Sequence, residues 1–146
     1  MNELTNALVK ALADSAAFYL KAQGFHWNVE GDDFPMYHDF FGKLYGEVYE
    51  AVDTIAELIR TLDVKSPAGI NTLGKLTNIS DSAASTSDAM IAELFRDNQI
   101  VLTSLMEVYR LAERFSEFGI SNFIQDRIQA HKKHAWMLRS MTKGDE

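Results

Sequence analysis

The sequence predicts an all-α fold of four long helices in a single domain spanning residues 1–146. Apolar side chains recur every three or four residues over four long stretches, which is the spacing of one face of a helix. No stretch shows the strict alternation of apolar and polar residues that is typical of a half-buried strand. The chain length of 146 residues suits one domain with one hydrophobic core.

The first two predicted helices are separated by a short polar break. The first helix begins at Leu4 and continues for about 25 residues of apolar periodicity. A break around Gly31 ends it. Asp33 can cap the second helix, and Pro35 falls in the first turn, where a missing N–H does no harm. The second helix is expected to end before Pro67.

A long connection precedes the second pair of helices. One short helix is predicted within this connection, over 72–76, and the third long helix begins at Ser87 or Asp88. Gly119 is expected to separate the third helix from a fourth over about 121–141. Short links make each pair of helices antiparallel, and the long connection allows a crossover between the pairs. This arrangement is the ferritin-like four-helix bundle.

Composition excludes several classes of function. Cysteine is absent, which removes disulfide scaffolds, thiolate zinc sites and iron–sulfur clusters. A net charge of -7 disfavours general binding to nucleic-acid phosphates. No apolar run approaches the roughly 18 residues of a membrane span. The polar start lacks the profile of a signal peptide, so we expect a cytoplasmic protein that does not bind a membrane.

Four residues are candidate metal ligands: His26, His38, Asp53 and Glu57. The two acids are four residues apart and so project from one face of the second helix. Their apolar neighbours in the sequence predict at least partial burial of both carboxylates. Imidazole and carboxylate together suit iron, zinc or manganese. The alternative is a solvated acidic pair and two packed histidines.

Helix geometry restricts how these residues can meet. His38 and Asp53 are 15 residues apart on one helix, a separation of about 22 Å, so they cannot bind the same ion within one copy. Two copies of this helix, crossing antiparallel near Gly46, would bring them together. No glutamate lies three residues before a histidine, so the Glu-x-x-His pairs of a di-iron centre inside one bundle are missing.

Two groups of residues carry a family resemblance. The first group comprises His26-Trp27-Asn28-Val29-Glu30-Gly31, then Phe34, His38, Phe41, Asp53, Ala56 and Glu57. The second is the run His131-Lys132-Lys133-His134-Ala135-Trp136-Met137-Leu138-Arg139. With these the chain closely resembles, over nearly its whole length, the Dps family of mini-ferritins, the DNA-protecting proteins of starved cells. The resemblance implies a hollow homo-dodecamer that oxidises Fe(II) with hydrogen peroxide or dioxygen and stores ferric iron.

The resemblance also implies a role for each candidate residue. His26 and His38 would come from one copy, and Asp53 and Glu57 from its twofold partner, so that these four form the ferroxidase site. The carboxylates would hold the first iron and neutralise its charge, while the imidazoles complete the ligand set. Trp27 resembles the family's aromatic residue that intercepts radicals. Simple interface packing is the alternative for this side chain.

Position 42 departs from the family pattern. The family usually has an aspartate or glutamate four residues after the second histidine, and here that residue is Gly42. We therefore expect one tight iron site per interface, with the second iron weakly bound or absent. Asp39 points about 100° per residue away from that face and is not expected to compensate. The alternative function is a cage with impaired ferroxidase activity, acting as a structural or weak metal-binding assembly.

Charge and chain ends make DNA compaction the less favoured function. No basic tail precedes the first helix, and the C-terminal end is short and acidic. Twelve copies at -7 would give a cage of formal charge -84, which should repel DNA. Asp126 resembles an acidic position that lines the family's threefold pores, through which ions pass. His131 and His134 are expected to be packed histidines rather than a surface metal site.

Overall fold

The computed structural model describes residues 2–143, and they form four long helices and one short one. The elements are α1 (Asn2–Asn28), α2 (Phe34–Thr61), α3 (Ile70–Leu76), α4 (Ser87–Arg114) and α5 (Phe118–Thr142). No strand occurs within the described range. The predicted all-α fold, with its short helix between the second and third long helices, is confirmed. The acidic end at 144–146, on which part of the DNA argument depends, lies outside the described residues.

The predicted helix boundaries are close, with instructive differences. Asp33 occupies the N-cap of α2, but its side chain makes no capping hydrogen bond. The hydroxyl of Thr86 caps α4 by accepting from the backbone N–H of Ala89 at 3.2 Å. Gly119 does not interrupt the helices; it lies inside the first turn of α5. The break is made instead by Ser116, whose φ of 56° is in the left-handed region.

The bundle is organised around α1, which packs against α2 on one side and α4 on the other, while α4 packs against α5. Bonds between α1 and α4 pair Asp14 with Ser104 and Lys21 with Asp97, so these two helices run antiparallel. Apolar side chains from all four long helices fill the core. Across the described residues, no helix combines the length and apolar character needed to cross a membrane.

A buried carboxylate fastens the long connection to the bundle. Asp14 has no exposed surface. It accepts hydrogen bonds from the hydroxyl of Thr77 at 2.6 Å, the backbone N–H of Asn78 at 3.2 Å and the hydroxyl of Ser104 at 2.5 Å. Lys10, one turn earlier on α1, adds an ion pair at 2.5 Å. One side chain of α1 therefore holds both α4 and the segment that follows α3.

Candidate metal centre

Two histidines meet where α1 ends and α2 begins. His26 lies in the last turn of α1 and His38 in the second turn of α2, and the short link between the helices brings both to one corner of the bundle. Their rings stack with centroids 3.8 Å apart and planes 13° from parallel. Both side chains are half-buried. The structure therefore places the two predicted imidazole ligands side by side within one chain.

Each of these rings is oriented by the backbone of the other helix. The Nδ1 of His26 lies 2.6 Å from the carbonyl oxygen of His38, and the Nδ1 of His38 lies 2.7 Å from the carbonyl oxygen of His26. Because a carbonyl only accepts, each Nδ1 must carry the hydrogen and donate it. In the neutral rings the lone pair is then on Nε2. This is the arrangement by which metal-binding histidines are usually oriented.

The histidines belong to a row of nearly parallel rings, two from α2 and one from α1, which we call the ring column: Phe34, His38 and His26. Phe34 stacks on His38 with centroids 4.9 Å apart, and His26 lies on the other side of His38. Gly42 lies beside the His26 ring of this column. A Cβ added at that glycine would be 3.0 Å from Cε1 and 3.1 Å from Nδ1 of His26. The His26 ring therefore fills the space that a side chain at position 42 would take.

The two carboxylates lie elsewhere on α2. Asp53 and Glu57 are both exposed in the chain, so the expected partial burial is wrong. Each lies two residues from the fully buried Ile55, which puts it about 160° from Ile55 around the helix. Apolar neighbours in sequence were misleading because adjacent residues on a helix point in different directions.

Within one chain the predicted ligands form two separate halves. Across the described residues, no group of three or more histidine, aspartate or glutamate side chains is close enough to hold a metal ion. The imidazole half is at the start of α2, and the carboxylate half is fifteen residues further along the same helix. The structure thus agrees with the distance argument that one copy cannot assemble the site.

The remaining predicted residues are on the surface. Trp27, next to His26, is 67% exposed. Asp126 is exposed on α5 and borders a shallow depression with Lys133. Asp39 forms an exposed ion pair with Lys43 at 3.0 Å. Its carboxylate is therefore directed to a lysine on its own helix rather than to the ring column.

The histidines of α5 belong to a polar network inside the bundle. His131 is fully buried, donates to the Asn98 side-chain oxygen at 2.7 Å and accepts from Arg127 at 3.1 Å. Glu47 accepts from Arg127 and, at 2.8 Å, from His134. Both histidines are therefore packed, as expected from the sequence. Both ring nitrogens of His131 and the Nε2 of His134 are engaged by hydrogen bonds rather than open to a metal.

This network perturbs two ionisable groups. Burial opposes ionisation of Glu47, but the hydrogen bonds from His134 and Arg127 outweigh it and hold the pKa of this carboxyl well below its ordinary value. Burial lowers the pKa of His131 well below its usual range, and the positive charge of Arg127 adds to the effect. His131 is therefore a neutral structural residue.

Two features of the centre were missed in the sequence. The contact of Gly42 with the His26 ring joins two helices, and a single sequence does not show which residues meet between helices. The stacking of Phe34 on His38 could have been predicted from the sequence. These two residues and Gly42 recur at intervals of four and so share one face of α2.

Comparison with known proteins shows which family has this architecture. The family model described as the ferritin-like domain matches residues 5–145. A crystal structure of a Dps protein from Vibrio cholerae O1 matches with a TM-score of 0.93 at 27% identity, covering 97% of this chain and 90% of that one. The chain belongs to the Dps family of ferritin-like proteins. The Vibrio protein is described as a member of a superfamily of diiron-carboxylate proteins.

Further relatives of this Dps chain are similar over most of their length. It is 28% identical over 139 residues to DNA protection during starvation protein 2 of Bacillus anthracis, covering 94% of this chain and 95% of that protein. It is 30% identical over 142 residues to an uncharacterized low temperature-induced protein of Nostoc, covering 95% of this chain and 79% of that one. The Dps of Staphylococcus aureus, at 22% identity and a TM-score of 0.94 over 99% of this chain and 98% of that one, supports the fold.

Proposed function

We propose that this Dps-family chain forms a hollow dodecamer that oxidises Fe(II) with hydrogen peroxide and stores ferric iron. The observation that carries the proposal is the pair of stacked histidines. Their Nδ1 atoms are held by backbone carbonyls, which leaves both Nε2 lone pairs for a metal. Removing Fe(II) and peroxide together suppresses hydroxyl-radical chemistry and so protects against oxidative damage without requiring contact with DNA.

The face of α2 supports a site shared between two copies. Residues at intervals of three or four form what we call the α2 stripe: His38, Gly42, Gly46, Tyr49, Asp53 and Glu57. The imidazole lies at one end of the stripe and the carboxylates at the other. Tyr49, near the middle, is 57% exposed, and no described residue outside the same turn of helix lies within 4 Å of a Cβ added at Gly46. A twofold axis near this glycine would place each imidazole end beside the partner's carboxylate end.

The two halves supply complementary chemistry for Fe(II) as substrate. Asp53 and Glu57 provide negative charge that offsets the charge of the cation and of the Fe(III) product. His26 and His38 provide neutral nitrogen ligands. Each Fe(II) gives up one electron, whereas the reduction of hydrogen peroxide to water takes two electrons and two protons. Complete turnover therefore needs two Fe(II) ions for each peroxide.

A second candidate function rests on position 42. Gly42 supplies no carboxylate, and the His26 ring fills the space beside it. If only one Fe(II) is held tightly, the second electron must come from a loosely bound or a later Fe(II). Such a cage would oxidise iron slowly and act mainly as a structural or weak metal-binding assembly. The rate of ferric formation distinguishes this function from the first.

The test of the proposed function is the oxidation of Fe(II) by peroxide, followed by ferric absorbance. We expect fast ferric formation in the wild-type assembly and strong loss in His38→Ala and in Glu57→Ala. Asp39→Ala is the matched control, because it removes an exposed carboxylate of the same helix whose ion pair is with Lys43. Equally fast rates in all four proteins would show that these residues are not the oxidation centre. A uniformly slow rate, with the metal still bound, would favour the second candidate.

A further inference from the structure

We propose that Gly42 is a positioning residue for His26: its missing side chain admits the His26 ring to the ring column and so presents the Nε2 of His26 for metal. The inference rests on the proposed function, because it concerns the same imidazoles. It goes beyond the loss of a ligand at position 42. The position matters for where the first histidine lies, as well as for how many carboxylates the site has.

Three contacts hold the His26 ring in place. One ring face stacks on His38 at 3.8 Å, and Nδ1 is bound at 2.6 Å to the His38 carbonyl oxygen. The edge of the ring that carries Cε1 and Nδ1 approaches Gly42 so closely that an added Cβ would be 3.0 Å from Cε1 and 3.1 Å from Nδ1. A contact of 3.0 Å is tighter than nine in ten that real Cβ atoms make, so the ring would have to give way by a few tenths of an ångström.

Movement of the ring would strain the bond that orients it. The His38 ring, already at stacking distance, leaves the His26 ring little room to shift across its face. A shift away from position 42 therefore strains the hydrogen bond that Nδ1, one of the two ring atoms nearest that position, donates to the His38 carbonyl. With that bond weakened, the hydrogen is held less firmly on Nδ1 and Nε2 is directed less well toward a metal. Alanine at position 42 is enough to have this effect, because the close contact is made by Cβ.

Zinc binding measured by calorimetry tests the proposal without any redox step, because Zn²⁺ has no redox chemistry. The assembled wild-type protein is compared with Gly42→Ala, His26→Ala and Gly119→Ala. The last is the matched control, since among residues 2–143, apart from its own turn of helix, nothing lies within 4 Å of a Cβ added at that glycine. We expect Gly42→Ala to weaken Zn²⁺ binding about 10- to 100-fold, the range found when a group that orients a ligand is lost. Gly119→Ala should bind as the wild type does.

The possible failures are distinguishable. If His26→Ala weakens Zn²⁺ binding but Gly42→Ala does not, the positioning role is wrong and the proposed site stands. If neither variant weakens binding, both proposals are wrong. Gly42→Asp adds a sharper comparison. A role limited to the missing carboxylate predicts tighter binding or an additional ion, whereas the positioning role predicts weaker binding than in the wild type.

A thermal double-mutant cycle provides a readout that does not depend on metal. Alanine is the better helix former, so Gly42→Ala should raise the melting temperature where no ring obstructs it. We expect this increase in a His26→Ala background and a decrease in the wild-type background. If Gly42→Ala alone does not assemble, recovery of assembly in the His26→Ala background supports the proposal. A shift of the same sign in both backgrounds, or no recovery, would overturn it.

Discussion

Removal of the buried Asp14 carboxylate should destabilise the bundle by an amount that its hydrogen bonds determine. Asp14→Ala leaves three donors without their acceptor: the hydroxyls of Thr77 and Ser104 and the backbone N–H of Asn78. Ser104 is buried, whereas Asn78 is exposed and can be hydrated in part. At about 1–3 kcal/mol for each buried group left unsatisfied, the loss should be about 4 kcal/mol. Lys10 is partly exposed and turns to water at little cost.

Asp14→Asn is the matched comparison, because it keeps the shape and one acceptor oxygen. That oxygen can serve Thr77 and Asn78, while the hydroxyl of Ser104 can rotate to accept from the new amide. We expect a loss of about 1–2 kcal/mol, chiefly from the charge-assisted bonds.

At about 2–4 °C per kcal/mol for a chain of this size, the melting temperature should fall by about 12 °C in Asp14→Ala and about 4 °C in Asp14→Asn. Thermal unfolding is followed by circular dichroism at one fixed protein concentration, because assembly also contributes to stability. Asp39→Ala, which removes an exposed ion pair, should change stability by less than about 0.5 kcal/mol. Equal effects of Asp14→Ala and Asp39→Ala would refute this account of how the connection is held.

Three further predictions concern pH, iron and radicals. The pKa of His131 is lowered in the folded protein, so the unfolded chain binds a proton more readily as the pH falls. The free energy of unfolding should therefore decrease below about pH 6.5, by at most about 1.4 kcal/mol per pH unit. Thermal unfolding over this range should lose most of that slope in His131→Gln, and an unchanged slope would contradict the assignment. Anaerobic Fe(II) titration should show one tightly bound iron per site, because Gly42 supplies no carboxylate for a second. Two tightly bound irons per site would contradict this expectation. Trp27→Phe should leave the oxidation rate unchanged but increase spin-trapped radicals; no increase would indicate that Trp27 only packs.

Helical periodicity was sufficient to predict the architecture, since apolar stripes and capping residues are local properties of the sequence. The local signal is misleading at Gly119, because glycine is typical of a helix break but also occurs within helices. The actual break depends on the left-handed backbone of Ser116. Serine is not a residue type that predicts this conformation. The contacts of Asp14 could not be predicted either, because its partners on α4 and after α3 are more than 60 residues away in the sequence.

The site was predictable only in part, because some of its geometry is a local property of one helix and the rest depends on contacts between helices. The separation of His38 from Asp53 follows from the rise of one helix, and the structure agrees with it. The burial of Asp53 was predicted wrongly because sequence neighbours do not share a face of the helix. The glycine at position 42 indicated a missing ligand. Only the three-dimensional arrangement shows that the His26 ring fills its place, since that contact joins two helices.

Mixing of two inactive variants tests the central claim, a site built from two copies, most directly. His38→Ala lacks an imidazole and Glu57→Ala lacks a carboxylate, so each homogeneous assembly should oxidise Fe(II) poorly. In assemblies formed from equal amounts of both chains, about a quarter of the shared sites pair an intact imidazole half with an intact carboxylate half. The account predicts ferric formation at about a quarter of the wild-type rate. Mixed assemblies no more active than their parents would contradict it.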